Sequence, residues 1–242
     1  MKLNELTPSE LWKYFAEICK IPHASGNEAG LIRFLESFAN EHRLSFKKDK
    51  AGNVLIEKPA SKGYENKPAV VLQSHLDMVT EKNEGTSHDF NQDPIPVFID
   101  DNWVKAEGTT LGADDGIGIA ASLALLASKD IEHPPLECLF TVEEETGLTG
   151  AKNLASGFFK GKTLINLDSE DEGEIFIGCA GGIDTLGCMQ MNREPLPVPT
   201  QGLKITVSGL LGGHSGDDIH KGRGNSIQIL TRLLWQLTEQ YA

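Results

Sequence analysis

The sequence lacks the features that mark membrane-spanning, secreted and disulfide-rich proteins. Its longest nearly apolar stretch covers only residues 117–127, whereas a membrane-spanning helix needs about 20 apolar residues. The first residues contain no apolar core of a signal peptide. The chain of 242 residues has four cysteines and no C-x-x-C pair, so a disulfide scaffold is excluded. These absences indicate the cytoplasm as the compartment.

Positive charge is scarce as well. Lys and Arg number 22 and Asp and Glu number 35, which gives a net charge of −13. Because the phosphates of nucleic acid and of an anionic membrane surface would be repelled, we expect neither as a partner. The Gly-rich motifs GxxxxGK and GxGxxG, which bind nucleotides, are also absent. An acidic chain can instead gather carboxylates for the binding of cations.

Predicted strands and helices alternate along the first two thirds of the chain. Short apolar runs predict strands at 53–57, 68–73, 136–142 and 163–167. Apolar residues at helical spacing predict two helices near the N-terminus and further helices at 117–129 and 149–156. This alternation predicts an α/β fold with a mixed, largely parallel sheet flanked by helices.

The pattern changes in the last quarter of the chain. Strands are predicted at 183–191 and 203–208, and an apolar face predicts a helix from about Asn225. We therefore expect residues 1–182 to form one domain and residues 183–242 to begin a smaller α+β domain. No Gly cap, Pro or basic last turn closes the final helix, so we expect the chain to be the front part of a longer protein.

Acidic and imidazole side chains follow directly on several predicted strands and on one Gly-rich turn. They are His75 and Asp77, Asp114 and Asp115, Glu143 to Glu145, and Asp168. The carboxyl ends of strands in an open α/β sheet form the ligand-binding edge, so we expect these side chains to lie close together. One His with several carboxylates and no Cys suits a divalent metal such as Zn or Mn. A carboxylate shared by two ions would make a two-metal hydrolytic site.

Each of these motifs has a simpler interpretation when it is taken alone. A His-x-Asp motif is more often a solvated strand end, and a run of Glu is usually a charged surface. Paired Asp residues before a helix are more often an N-cap. His75 and Asp77 have strand spacing and point the same way, so Asp77 can orient the imidazole. The occurrence of four such motifs in one acidic chain favours the metal site.

Four of these motifs occur in the same order in a known family. They are Ser74-His75-Leu76-Asp77, Gly112-Ala113-Asp114-Asp115-Gly116, Glu144-Glu145-Thr146-Gly147 and Asn166-Leu167-Asp168-Ser169. The chain resembles the co-catalytic zinc peptidases, which include aminoacylases, carboxypeptidases and dipeptidases. Longer stretches, among them 78–83 and 167–174, resemble the aminoacyl-histidine (Xaa-His) dipeptidases of that family.

The resemblance implies a set of metal ligands. His75 would bind one ion and Asp114 would bridge two. Glu145 would bind one ion and Asp168 the other. The implied cofactors are two divalent ions, Zn first and Mn or Co as alternatives. The family has one more ligand, a His near its C-terminus, and we expect its counterpart beyond residue 242.

The resemblance also implies the catalytic residues. Asp77 would orient the metal-binding imidazole, and Glu144 would be the general base that passes a proton from the attacking water to the leaving amine. The Gly-rich stretch around His214 resembles the family's lid domain, in which a His stabilises the oxyanion. Residues 1–182 would then be the catalytic metal-binding domain. Residues 183–242 would be the incomplete lid, through which we expect a homodimer to form.

Three functions remain open at this point. The first is metal-dependent hydrolysis of dipeptides, in particular Xaa-His dipeptides such as β-alanyl-histidine. The second is the activity of another member of the same family, an aminoacylase or a carboxypeptidase. The third is a non-catalytic fragment that binds metal or peptide. A substrate panel that compares Xaa-His dipeptides with N-acyl amino acids separates the first two. A reading frame that continues past residue 242 to a ligand His would favour both over the third.

Overall fold

The computed structural model describes residues 3–169, 172–179, 181–183, 185–196, 199–213, 216 and 218–241 of the chain. Short 3-10 helices occur at Leu3–Glu5 and Ile219–Lys221. The other regular elements are, in chain order, α1 (Ser9–Ile18), α2 (Ala29–His42), β1 (Ser45–Lys48), β2 (Val54–Lys58), β3 (Val70–His75), β4 (Val97–Asp100), β5 (Trp103–Ala106), α3 (Ala113–Ala127), β6 (Leu136–Thr141), α4 (Thr149–Lys152), β7 (Thr163–Asn166) and α5 (Ser226–Tyr241).

A five-stranded sheet with the order β1-β2-β6-β3-β7 forms the centre of the fold. β3 is parallel to both β6 and β7, whereas β2 is antiparallel to both β1 and β6. Four of the five strands therefore run in one direction, and β2 alone opposes them. The prediction of an α/β fold with a mixed, largely parallel sheet is confirmed.

Both faces of the sheet are covered, because alternate residues of a strand point to opposite sides. One face packs against α1, α2 and α3 through the side chains of Val54, Ile56, Leu72, Cys138 and Phe140. The other face packs against the segment after α4, which contributes Leu154, Phe158 and Phe159. Burial on both sides is the reason that all six residues of β6 are buried. Each fully buried large apolar side chain contributes about 1.5–3 kcal/mol of stability.

The predicted elements of the first part of the chain are present, with different ends. α3 begins at Ala113, earlier than the predicted 117, and it is kinked at its start, where Asp114 and Asp115 have non-helical backbone angles. α4 is shorter than the predicted 149–156 and ends at Lys152. At this end, the carbonyl oxygen of Thr149 accepts hydrogen bonds from both the side chain and the backbone N–H of Asn153. The hairpin of β4 and β5 was not predicted.

The two strands predicted at 183–191 and 203–208 are wrong for the residues that the structure describes there, which form no strand. Their apolar side chains are exposed; Ile183 has 94% of its surface accessible and Leu203 has 82%. A strand needs a neighbouring strand for its backbone hydrogen bonds, and alternation of apolar residues does not supply one. The helix predicted from about Asn225 is confirmed as α5.

The chain divides into two compact units, Met1–Cys179 and Ala180–Ala242. The first unit contains the five-stranded sheet and every element from the first 3-10 helix to β7. The described residues of the second unit contain the 3-10 helix Ile219–Lys221 and α5. Across the described part of the chain, no helix combines the length and the apolar character needed to cross a membrane.

Candidate metal centre

The predicted site residues of the first unit lie at the carboxyl edge of the sheet. His75 is the last residue of β3, and it is paired in register with the last residue of β6. Glu144 and Glu145 follow shortly after β6, and Asp168 follows shortly after β7. Asp114 is the second residue of α3. Because β3, β6 and β7 are parallel, their carboxyl ends bring these segments to one edge.

One group of candidate ligands consists of His75, Asp114 and Asp168. Each offers a ligand atom, and these atoms all lie within 4.8 Å of one another. The Nε2 atom of His75 is 2.8 Å from Oδ1 of Asp114 and 3.8 Å from Oδ1 of Asp168. Imidazole nitrogen and carboxylate oxygen are ligands that divalent Zn and Mn accept. The described residues therefore bring together three of the four predicted metal ligands.

A second group of candidate ligands shares the same imidazole. It consists of His75, Glu144 and Glu145, whose ligand atoms again lie within 4.8 Å of one another. The fourth predicted ligand, Glu145, is thus beside His75, and the predicted base Glu144 accompanies it. Asp114 belongs to the first group alone. Its role as a bridge between two ions stays a prediction.

The imidazole of His75 is buried, and Asp77 holds it at Nδ1. The side chain has 1% of its surface exposed. Its Nδ1 atom lies 2.9 Å from the main-chain oxygen of Asp77 and 3.5 Å from the carboxylate oxygen Oδ1 of the same residue. Since a carbonyl oxygen only accepts, Nδ1 carries the hydrogen and donates it. This leaves Nε2 facing Asp114 and Asp168, which is the orientation a metal ligand needs.

The protonation of His75 reflects the carboxylates around it. Burial alone would lower the pKa of the imidazole, but hydrogen bonding to Asp114 and Asp77, with the charge of Asp168, raises it to about 11. The hydrogen bond to His75 in turn lowers the pKa of Asp114. A proton on His75 thus lies where a metal ion would bind. It compensates part of the negative charge of the surrounding carboxylates, as a metal ion would.

Negative charge is crowded at this edge. Burial, assisted by the charge of Asp168, raises the pKa of Asp115 to about 8. Burial and the charge of Asp114 raise the pKa of Glu145 to about 7 and that of Asp168 to about 6. Carboxylates that resist ionisation for this reason gain from a nearby cation. The donor set and its electrostatics therefore fit a divalent metal ion.

Asp115 is a site residue that was grouped with the acidic strand-end residues but was not predicted to be a ligand. Its side chain is buried, and its Oδ2 atom accepts a hydrogen bond of 3.2 Å from the backbone N–H of His75. Oδ1 accepts one from the N–H of Gly118, also at 3.2 Å. The carboxylate thus joins the start of α3 to the end of β3. The doubled Asp of the Gly112–Gly116 turn was the signal for it.

Asp77 connects β3 to the loop that carries Glu144 and Glu145. Its Oδ1 atom accepts a hydrogen bond of 2.9 Å from the N–H of Glu144, and its Oδ2 atom accepts one of 3.2 Å from the N–H of Glu145. Burial alone would raise the pKa of Asp77, but hydrogen bonds from His75, Ser25 and these two N–H groups hold it at about 2. The carboxylate therefore orients two loop residues as well as lying beside the imidazole.

Two residues near the N-terminus, Ser25 and Glu28, also contact this part of the site. The hydroxyl of Ser25 donates a hydrogen bond of 2.7 Å to Oδ2 of Asp77. The carboxylate of Glu28 accepts one of 3.1 Å from the N–H of Glu143. The sequence patterns did not predict a site role for either residue. His214, the predicted oxyanion donor, lies outside the described residues.

The sequence matches that of a family of peptidases. Residues 71–222, more than half of the chain, match peptidase family M20/M25/M40. The chain belongs to peptidase family M20/M25/M40.

The chain is similar to several peptidases along most of its length. It is 50% identical over 233 residues to the cytosol non-specific dipeptidase of Escherichia coli, a match that covers 96% of this chain and 48% of that protein. The crystal structure of aminoacylhistidine dipeptidase from Vibrio alginolyticus is similar with a TM-score of 0.75 and 47% identity, over 97% of this chain and 48% of that one. A tripeptidase from Staphylococcus aureus gives a TM-score of 0.57 and 26% identity, over 71% of this chain and 45% of that one. This chain thus spans about half the length of these relatives.

Proposed function

We propose that the protein is a metal-dependent dipeptidase that hydrolyses Xaa-His dipeptides such as β-alanyl-histidine. The observation that carries the proposal is the convergence of two candidate ligand groups on His75 at the carboxyl edge of the sheet. Two of the similar proteins are named as dipeptidases, and one of them as an aminoacylhistidine dipeptidase. The word cytosol in the name of the Escherichia coli relative supports a cytoplasmic location.

The cofactors in this proposal are two divalent ions, with Zn preferred and Mn or Co as alternatives. His75, Asp114 and Asp168 would hold one ion, and Glu145 would hold the other, with Asp114 as the shared carboxylate. When bound, such ions supply Lewis acidity, which polarises a peptide carbonyl and makes water more acidic. The carboxylates that crowd this edge supply the negative charge that the ions require.

Glu144 is the proposed general base. Its N–H is held by Asp77, and its carboxylate belongs to the group around His75. Its side chain is therefore close to the proposed ions. The carboxylate would take a proton from the attacking water and pass it to the nitrogen of the leaving amine. Asp77 would hold both His75 and the loop of Glu144 and Glu145 in position during this proton transfer.

The second part of the proposal concerns residues 183–242. We propose that they belong to a lid that closes over the substrate and takes part in a homodimer, while residues 1–182 form the catalytic domain. The exposed apolar side chains of α5, among them Trp235 with 66% of its surface accessible, support a further packing partner. His214 would donate a hydrogen bond to the oxyanion of the tetrahedral intermediate.

A substrate panel with defined metals tests the proposed function. The purified protein is loaded with Zn, Mn or Co and assayed on β-alanyl-histidine, on dipeptides without His, and on N-acyl amino acids. We expect metal-dependent hydrolysis that is fastest on Xaa-His dipeptides. His75→Ala should lose metal and activity together. The matched control His42→Ala, whose ring packs on Phe38 in α2, should keep both.

Other outcomes of the panel would replace the proposal. Faster turnover of N-acyl amino acids would assign the protein to aminoacylase chemistry, and release of C-terminal residues from longer peptides would assign a carboxypeptidase. Metal binding without hydrolysis of any substrate would leave a non-catalytic binding protein. No metal bound and no activation by Zn, Mn or Co would refute the metal-dependent mechanism.

A further inference from the structure

Two buried carboxylates hold three consecutive backbone N–H groups of the loop after β6. The N–H of Glu143 donates to Glu28, and the N–H groups of Glu144 and Glu145 donate to Asp77. Successive N–H groups that point at an anion form a compact anion-binding arrangement. Here the anions are side chains of the protein itself. The loop that presents Glu144 and Glu145 is therefore held through its main chain.

Glu28 is placed for this contact by a turn of its own. It precedes α2, and its Oε1 atom accepts hydrogen bonds from the N–H of Gly26 at 3.0 Å and from the N–H of Glu143 at 3.1 Å. The side chain has 6% of its surface exposed, so water does not compete freely for these contacts. An isolated parallel β-bridge pairs Ala24 with Met78, and it joins the same turn to the segment that follows His75.

The residue that Glu28 holds has an unusual backbone conformation. Glu143 has a φ of 50°, in the left-handed region that residues with a side chain rarely adopt. This conformation turns the chain at the end of β6, so that the next two residues reach the group around His75. The hydrogen bond from Glu143 to Glu28 supports the turn at the residue where the backbone is least favourable.

We propose that Glu28 is a positioning residue for Glu144 and Glu145. Its carboxylate fixes Glu143 in the left-handed conformation, and this sets the direction in which the proposed base and its neighbouring metal ligand point. Ser25 assists from the same turn, because its hydroxyl donates to the Asp77 carboxylate that holds the other two N–H groups. The proposal rests on the proposed function, since it assigns Glu28 a role in the same reaction.

The test compares Glu28→Ala, Glu28→Gln and the control Glu36→Ala in the purified protein. Glu36 is an exposed residue of α2, the helix that follows Glu28. Ala removes the acceptor of Glu143, whereas Gln keeps one carbonyl oxygen, and both N–H groups donate to a single oxygen of Glu28. The measurements are kcat and KM on β-alanyl-histidine, the affinity for Mn²⁺ by calorimetry, and the thermal unfolding temperature.

We expect Glu28→Ala to lower kcat or the Mn²⁺ affinity by about 10–100-fold, the range for residues that support metal ligands. KM should change less than kcat. Glu28→Gln should restore most of the loss, and Glu36→Ala should match the wild type. If Glu28→Ala does not fold, Glu28→Asp replaces it, because the shorter side chain withdraws the oxygen from Glu143 and should cause the same kinetic loss.

Two results would overturn the proposal in distinguishable ways. If the wild type is active and Glu28→Ala unfolds at a lower temperature but keeps its kcat and Mn²⁺ affinity, then Glu28 only stabilises the fold and the proposed function stands. If the wild type neither binds Mn²⁺ nor hydrolyses any dipeptide, the proposed function fails and the role of Glu28 fails with it.

Discussion

Replacing Asp77 with Asn changes one oxygen of a carboxylate into an amide nitrogen at a position where donors surround the side chain. Oδ1 accepts from the N–H of Glu144, and Oδ2 accepts from the N–H of Glu145 and from the hydroxyl of Ser25. Whichever way the amide is turned, its NH₂ group meets at least one of these donors. The shape of the side chain is kept, but its hydrogen-bond pattern is not.

The size of the effect follows from these contacts. A hydrogen bond to a charged group contributes about 1.5–3 kcal/mol, and a buried donor left without an acceptor costs about 1–3 kcal/mol. The pKa of Asp77, lowered from 3.8 to about 2, gives a figure of the same order, because one pKa unit corresponds to about 1.4 kcal/mol. We therefore expect Asp77→Asn to lower the free energy of unfolding by about 2–4 kcal/mol. Metal affinity or turnover should fall by about 10–100-fold.

The dependence of stability on pH in the acid range gives an independent check. Because the folded pKa of Asp77 is lowered, its stabilisation is present above pH 3.8 and is lost as the pH falls towards 2. Denaturant unfolding of the metal-free protein between these pH values should be less pH-dependent in Asp77→Asn than in the wild type. The control is Asp130→Asn, at an exposed position. An Asp77→Asn protein with unchanged stability, metal affinity and turnover would refute the reasoning.

Three further predictions concern other parts of the chain. Glu144→Gln should lower turnover by about 10²–10⁴-fold with metal content near normal, whereas Glu145→Gln should lose metal. Elemental analysis and steady-state kinetics test both variants. If Glu144→Gln loses the metal instead, the two roles are exchanged. His214→Ala should keep its metal, and its kcat should fall by about 10²–10³-fold with a smaller change in KM. A normal kcat would show that His214 has no role in the active site. Lys58→Met removes two hydrogen bonds that Nζ donates to main-chain oxygens at the C-terminal end of α3. Urea unfolding should therefore show a free energy of unfolding lower by about 1–3 kcal/mol. An unchanged urea midpoint would show that water replaces these hydrogen bonds.

The residues at the strand ends were predictable because each follows a recognisable apolar run. His75 ends β3, and Asp168 comes two residues after β7. Once the strands are predicted to be parallel, their carboxyl ends have to meet, and so do the side chains attached to them. The prediction needed only local patterns and one general rule about sheets.

Contacts between distant segments were not predictable in the same way. Ser25 lies 52 residues from Asp77, and Glu28 lies 115 residues from Glu143. Locally, the stretch from Ser25 to Glu28 has the pattern of a helix start, and nothing in it indicates the partner. The hairpin of β4 and β5 was missed for another reason. Its strands have four residues each and alternate between half-buried and exposed positions, so their apolar signal is weak.

The imidazole shared by both candidate ligand groups limits the stoichiometry of metal uptake. Nδ1 of His75 donates to the main-chain oxygen of Asp77, so the neutral ring has one lone pair, on Nε2. One lone pair coordinates one ion at a time. In the proposed metal centre, the two groups would therefore compete for the first ion and would not form two independent sites. A titration of this chain should saturate the His75-dependent signal at one equivalent, and a second equivalent would have to bind without that nitrogen.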